Sequence, residues 1–164
     1  MVSRIQQEIK QTRPFHSKAE EAAIALMRTA DMVRRGVAAI VEPYGITTQQ
    51  YNVLRILRGA GEKGLPTLEV AERMIEQTPG ITRLIDRLER KRLVIRERCA
   101  TDRRQVFCRI TLNGLELLAK LDGPILEIDG WAALPAREIA QLITLLDKAR
   151  KGLNQQIHNS RRNR

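Results

Sequence analysis

Lysine and arginine side chains are concentrated in one stretch of this 164-residue chain, between Arg83 and Arg109. Ten cations and four carboxylates lie in these 27 residues, so six of the ten net positive charges of the chain fall within them. A guanidinium can bind a phosphate, or the O6 and N7 atoms of guanine, through two parallel hydrogen bonds. A cluster of this sign and density predicts an anionic partner, most often nucleic acid or a membrane surface.

The first part of this cluster has the spacing of an amphipathic helix, which we expect to run from Pro79 to about Arg90. Its apolar residues recur at intervals of three and four, at Ile81, Leu84, Ile85 and Leu88. Thr78 is the predicted N-cap, and Pro79 is the predicted first helical residue. The remaining positions are polar and mostly cationic, so the pattern predicts one buried face and one face for a partner.

The polar face of this helix carries the candidate DNA contacts, because the major groove of duplex DNA is wide enough for one helix. Arg83 and Arg87 are four residues apart and share a face. Ion pairs with Asp86 or Glu89 are the alternative for both arginines, and we expect Asp86 to hold an arginine rather than to contact DNA. Short side chains and free amides in the first turn suit a phosphate. The predicted DNA-binding residues of this segment are Thr78, Pro79, Ile81, Thr82, Arg83 and Arg87.

The second part of the cluster predicts a β-hairpin with a charged tip. Segments 93–99 and 105–110 are rich in β-branched residues and partly alternating. An arginine at the tip can enter the adjacent minor groove, where the negative potential is deep. A carboxylate there would repel phosphate unless it orients an arginine. We therefore expect Arg103 and Arg104 to bind DNA and Asp102 to orient one of them.

The elements around this cluster predict a mainly α fold containing a winged helix-turn-helix, which we place at residues 46–112. Thr47 and Gln50 have the spacing of a capping box that opens a helix. Thr67 is the expected N-cap of a shorter helix that includes Met74. Leu65 and Pro66, which precede that helix, suffice only for an edge strand. Two helices joined by a tight turn and followed by a hairpin complete the motif.

Amphipathic segments flank the winged region on both sides, and we expect them to be dimerisation helices. Apolar residues recur at helical spacing from Ile24 to Ile40, within residues 17–45, and from Ile139 to Leu153, within residues 113–157. Left exposed, these faces would form large apolar patches, which favours a dimer core over membrane binding.

Three local features of these flanking regions are also predicted. Gly123-Pro124 is expected to bend or interrupt the helix that begins after Thr111. Residues 1–16 are expected to form a flexible or short helical arm, and residues 158–164 a basic tail that is disordered from Ser160 onward.

Composition excludes several classes of protein. Aromatic residues make up 3% of the chain, which argues against β-sandwiches and against single-strand binding by base stacking. No apolar run approaches the roughly 18 residues that span a bilayer, and no secretory signal is evident, so we expect a cytoplasmic protein. The sequence lacks a carboxylate pair, nucleophile elbow, phosphate loop or metal-ligand spacing, so neither an enzyme nor a cofactor site is predicted.

Two cysteines, Cys99 and Cys108, flank the predicted hairpin. Structural thiols are the favoured interpretation, since no histidine or helix N-terminus lies beside them to lower a pKa. Arg98 and Arg109 are close in sequence, so oxidation sensing is the alternative.

Several motifs together resemble the MarR family of bacterial transcription regulators. The most specific are the Thr-Arg-Leu-Ile-Asp-Arg-Leu helix at 82–88 and the Asp-Arg-Arg tip at 102–104. Further matching stretches are 47–54, 68–74, 78–91, 93–94 and 110–114. The resemblance implies a homodimer whose terminal helices intertwine and whose two wings read a pseudo-palindromic operator. It also implies a repressor of its own or neighbouring genes, with a small-molecule effector in a crevice beside the dimer helices.

One residue departs from the family pattern. Members commonly have glycine after the lysine that ends the recognition helix, whereas Lys91 is followed by Arg92 here. A left-handed arginine at this position would cost about 1 kcal/mol more than glycine. Either the helix ends differently or a phosphate contact offsets the strain. A winged module that docks an acidic protein partner is the alternative to DNA binding.

Overall fold

The computed structural model describes residues 3–76, 80–98, 106–128, 130–131 and 133–162. The chain divides into two compact units, one ending at Ile128 and the other containing the last helix. The helices are α1 (Arg4–Glu8), α2 (Lys18–Val41), α3 (Thr48–Ala60), α4 (Thr67–Glu72), α5 (Ile81–Arg90), α6 (Leu112–Leu126) and α7 (Ala136–Arg162). The strands are β1 (Leu65–Pro66), β2 (Val94–Arg98) and β3 (Val106–Ile110).

The predicted mainly α fold with a winged helix-turn-helix is confirmed. Helices α3, α4 and α5 precede the β2–β3 hairpin, and the sheet has the order β1-β3-β2 with antiparallel pairs. β1 is an edge strand in which Leu65 pairs with Cys108. The hairpin register places Arg96 opposite Cys108 on β3.

Local signals in the sequence account for the ends of the first long helices. The Ser17 hydroxyl accepts a hydrogen bond from the Glu20 amide at the start of α2. A short 3-10 turn at Glu42–Tyr44 ends at Gly45, whose φ of +71° is left-handed. The capping box is confirmed, because the Thr47 hydroxyl accepts from the Gln50 amide and the Gln50 side chain accepts from the Thr47 amide. These caps satisfy amide donors that the first helical turn leaves unpaired.

The prediction that Thr67 caps α4 is wrong. Pro66 occupies the N-cap and Thr67 is the first helical residue. The Thr67 hydroxyl instead donates a hydrogen bond to the Val106 carbonyl, 3.4 Å away on β3. The neighbouring strand therefore provides an acceptor that local sequence does not reveal. Met74 is buried but lies beyond the end of α4 at Glu72.

Three other boundaries also differ from the predictions. Gly80 is the N-cap of α5, so the helix begins at Ile81 rather than at Pro79. α6 continues past Gly123-Pro124 to Leu126 without interruption. α7 extends to Arg162, and the expected disorder from Ser160 onward is wrong over residues 160–162. Nothing after Gly152 in this segment is a strong helix breaker, and the Ser160 hydroxyl donates to the Gln156 carbonyl one turn earlier.

The core is aliphatic, as the low aromatic content predicts. It joins α2, α3, α4, α5, α6 and the sheet, and Tyr51 is its one aromatic residue among the described side chains. Burial of these side chains is the main term that holds the winged region together. The fully buried side chains from α3, α5 and α6 are Val53, Leu54, Leu57, Ile85, Leu88, Leu118 and Leu121.

The two predicted dimerisation helices keep apolar side chains exposed within the single chain. On α2, Val37 and Ile40 pack against the core, but Met27 and Val33 remain exposed. Considered as a separate unit, α7 exposes Ile143, Leu145, Leu153 and Ile157. Where such side chains are contiguous, they mark a surface that another molecule covers.

Arg92 adopts a left-handed backbone conformation, which glycine adopts with less strain. Its φ is +58°. Its amide donates to the Glu89 carbonyl at 2.8 Å, and the Leu93 amide donates to the Leu88 carbonyl at 3.0 Å. These two bonds form a complete Schellman motif at the end of α5. The arginine therefore retains the usual helix ending together with its conformational cost.

Arg92→Gly is expected to stabilise the protein by about 1 kcal/mol, because glycine has no Cβ to clash at positive φ. Urea unfolding at one protein concentration measures the change. Lys91→Gly is the matched control, since Lys91 has φ −83° and glycine should lower stability there. Equal loss of stability in both variants would contradict the strain at Arg92.

Candidate nucleic-acid interface

Helix α5 presents one buried side and one cationic side. Leu84, Ile85 and Leu88 are buried, which fixes the rotation of the helix about its axis. The exposed side carries Thr82, Arg83, Arg87 and Arg90. Ile81 is half-buried and packs against the core, so it supports the first turn more than it faces solvent.

Arg83 and Arg87 are available for a partner. Both side chains are exposed, and neither makes an ion pair or side-chain hydrogen bond within the described part of the chain. The alternative that they pair with Asp86 or Glu89 is not what the structure shows, because those carboxylates bind another arginine.

That arginine is Arg96, on β2. Its Nη1 lies 2.7 Å from Asp86 Oδ1, and its Nε donates to Glu89 Oε2 at 2.9 Å. The hydrogen bond with Glu89 raises the pKa of Arg96, and burial opposes that shift. The expectation that Asp86 holds an arginine is confirmed. One arginine of β2 thus pairs with two carboxylates of α5.

The turn that leads into α5 is anchored by α3, a feature that the sequence analysis missed. The Asn52 side-chain oxygen accepts from the Ile75 amide at 3.0 Å, and Gln49 Nε2 donates to Glu76 Oε2 at 3.4 Å. Gln49 and Asn52 are three residues apart and lie on one face of α3, and that spacing is the only local signal. These bonds fix the positions of Ile75 and Glu76, which precede α5 in the sequence.

A second missed feature ties α3 to α6. Arg58 and Asp122 form a bidentate pair, with Nη1–Oδ2 and Nη2–Oδ1 distances of 2.7 and 3.1 Å. The pair raises the pKa of Arg58. The two residues are 64 positions apart, so no local pattern connects them. Bidentate geometry makes this pair more directional than an ordinary surface contact.

For the β2–β3 hairpin, the structure describes the two strands but not residues 99–105, which connect them. On the strands, Arg109 Nη1 lies 3.2 Å from Glu97 Oε2. Six of the predicted site residues lie outside the described part of the structure, namely Thr78, Pro79, Cys99, Asp102, Arg103 and Arg104.

Cys108 is fully buried on β3. Burial raises the pKa of its thiol, and the Thr67 hydroxyl 3.5 Å away partly opposes that shift. A buried thiol with a raised pKa is poorly reactive, because the thiolate is the nucleophile. These properties match a packing role for this cysteine.

The described residues contain no candidate metal site and no candidate membrane span. Their His, Cys, Asp and Glu side chains form no group of three that could hold a metal ion. None of their helices combines the length and apolar character that crossing a membrane requires.

Curated proteins with similar sequences are transcription regulators. The regulator MhqR of Bacillus subtilis is 29% identical over 87% of this chain and 97% of its own length. The homoprotocatechuate degradative operon repressor of Escherichia coli is 27% identical over 79% of this chain and 87% of its own length.

Solved structures share the fold. A MarR transcription factor from Planctomyces limnophilus is 38% identical, with a TM-score of 0.62 over 82% of this chain and 98% of that protein. MepR of Staphylococcus aureus in complex with DNA has a TM-score of 0.69 and 22% identity over 79% of this chain and 96% of its own. CouR of Rhodococcus jostii bound to p-coumaroyl-CoA has a TM-score of 0.70 and 24% identity over 82% and 95%.

The family model described as the MarR family matches residues 44–105, which include α3, α4, α5 and β2. With the winged fold, the cationic α5 and a 38% identical relative of known structure, this match assigns the protein: the chain belongs to the MarR family of transcription regulators.

Proposed function

We propose that the chain is a homodimeric repressor that binds a pseudo-palindromic operator of its own or neighbouring genes and is released by a small-molecule or oxidative signal. The proposal rests on the exposed arginines of α5. Its exposed Arg83 and Arg87 have no carboxylate partner among the described residues, while Arg96 occupies Asp86 and Glu89. A helix with a fixed buried side and free guanidinium groups suits the major groove.

The proposed contacts with DNA come from two places, helix α5 and the wing tip. Arg83 and Arg87 read guanine or bind phosphate from α5, and Thr82 allows close approach of the first turn. Thr78, Pro79 and Ile81 shape the start of the recognition segment. Arg103 and Arg104 contact the adjacent minor groove from the wing tip, with Asp102 orienting one of them.

Dimerisation follows from the apolar side chains that α2 and α7 leave exposed. Met27 and Val33 on α2, and Ile143, Leu153 and Ile157 on α7, are exposed in the single chain. A second copy of the chain would cover them and would supply the second recognition helix. Two helices related by a dyad then contact half-sites about one helical turn apart.

Repression and release draw support from the relatives. One similar protein is a degradative operon repressor, and one of similar fold is bound to p-coumaroyl-CoA. MepR, also of similar fold, is bound to DNA. A small-molecule signal is favoured over oxidation at Cys108, because that thiol is buried.

Fluorescence anisotropy with a labelled duplex from upstream of the encoding gene tests the proposal. We expect tight binding in dilute salt, with log K falling linearly as log salt concentration rises, because phosphate contacts release counterions. A random duplex of equal length is the control for sequence preference. A monomer that ignores both duplexes in dilute buffer would contradict the proposal.

Replacing both wing-tip residues, Arg103→Ala with Arg104→Ala, is expected to weaken operator binding and to flatten the log–log salt slope by about one unit per lost phosphate contact. Salt titrations of the variant and the unaltered protein measure both quantities. Unchanged affinity at fixed salt would show that Arg103 and Arg104 do not contact DNA.

A further inference from the structure

Arg96 is not among the proposed DNA contacts, yet its guanidinium is fully engaged with the recognition helix. The residue is half-buried on β2, beside α5. It bonds to Asp86 through Nη1 at 2.7 Å and to Glu89 through Nε at 2.9 Å. Both carboxylates belong to α5, so one strand residue binds two acidic residues of the helix and offsets one of their two negative charges.

Without Arg96, Asp86 would be free to pair with Arg83. Asp86 is three residues after Arg83, a spacing at which side chains on a helix meet. Glu89 has no such spacing to Arg83 or Arg87, so its unpaired charge would act on the DNA phosphates instead. An uncompensated carboxylate on this helix would also lie within a Debye length, about 8 Å at physiological salt, of the phosphates that the arginines bind.

We propose that Arg96 is a positioning residue of the DNA-binding surface, which holds Asp86 away from Arg83 and offsets part of the negative charge of Asp86 and Glu89. The proposal rests on the proposed function, namely duplex binding through α5. Arg96 acts through the two carboxylates and not by contacting DNA itself. Its effect is therefore electrostatic and should disappear when the carboxylates are removed.

Arg96→Gln is the first variant of the test. Measured by anisotropy on a duplex selected by the unaltered protein from a random-sequence library, its affinity is expected to fall about tenfold. Arg58→Gln is the matched control, because it loses the same charge and a bidentate pair with Asp122, which is not on α5. The control should bind close to normally, and thermal unfolding of both variants reports whether they fold.

The rescue variant combines Arg96→Gln with Asp86→Asn and Glu89→Gln. It should restore affinity to within about threefold of the unaltered protein, because no carboxylate remains to pair with Arg83 or to repel phosphate. This variant lacks the positive charge of Arg96 and the two carboxylates that Arg96 binds. Its affinity therefore tests the role of Arg96 even if Arg96→Gln alone lowers the thermal midpoint.

Three results would overturn the role of Arg96 while leaving the proposed function standing. These are normal binding by Arg96→Gln, equal losses in Arg96→Gln and Arg58→Gln, and failure of the rescue variant. Absence of binding by the unaltered protein would instead overturn the proposed function, and this inference with it.

Discussion

Operator affinity is expected to fall about 100-fold or more when Arg83→Ala and Arg87→Ala are combined, because each lost base or phosphate contact costs roughly 1–3 kcal/mol and a dimer loses both pairs. The physical reason is the availability of these side chains. They are exposed, and within the described part of the chain no carboxylate competes for them. Anisotropy titration at fixed salt measures the loss.

Arg4→Ala with Arg13→Ala is the charge-matched control for this prediction. Both arginines are exposed and precede α2. The control removes the same two charges from each chain without touching the winged region or the proposed dimerisation helices, so its affinity should change little. If the α5 variant bound within about threefold of the control, α5 would not be the recognition helix.

The second large effect is expected for stability. Leu88→Ala should destabilise the protein by about 3 kcal/mol, since it leaves a cavity under the recognition helix where Leu88 is fully buried. DNA binding should weaken as well, because the buried side of α5 sets the direction of its arginines. Urea unfolding gives the free energy of unfolding for each variant.

Leu68→Ala provides the comparison, as the same chemical change on α4 at a side chain that is 73% exposed. It should cost no more than about 0.5 kcal/mol. Similar losses in the two variants would show that packing beneath α5 does not hold the winged region together.

Residues with short-range signals were predicted well from the sequence. The apolar spacing of Leu84, Ile85 and Leu88 located the buried side of α5, and the Thr47–Gln50 capping box located the start of α3. These features depend on neighbours within one or two helical turns. The sequence alone contains everything needed to recognise them.

Features that depend on the approach of distant elements were predicted poorly. The periodicity that places Asp86 near Arg83 also places it near Arg90, and only the fold brings Arg96 from β2 against it. Thr67 has the composition of a cap, but a β3 carbonyl takes its hydroxyl. The Arg58–Asp122 pair has no sequence signal because 64 positions separate its members.

The departure at Arg92 lies between these two cases. The sequence showed an arginine where the family has glycine, and the structure retains the left-handed backbone there. The free-energy cost of a left-handed arginine at this position depends on that residue alone, so it could be predicted from the sequence. The structure does not explain why an arginine stands at this position.

Strand cleavage by a chelated iron attached at Arg90→Cys, in a Cys99→Ser background, locates α5 on operator DNA. Arg90 is exposed at the end of α5 and is not among the proposed DNA contacts, and the buried Cys108 should not take up the reagent. We expect two clusters of strand breaks whose centres are about one helical turn, or a multiple of it, apart. Uniform cleavage along the duplex, or a single cluster, would contradict a dimer that places α5 in two major grooves.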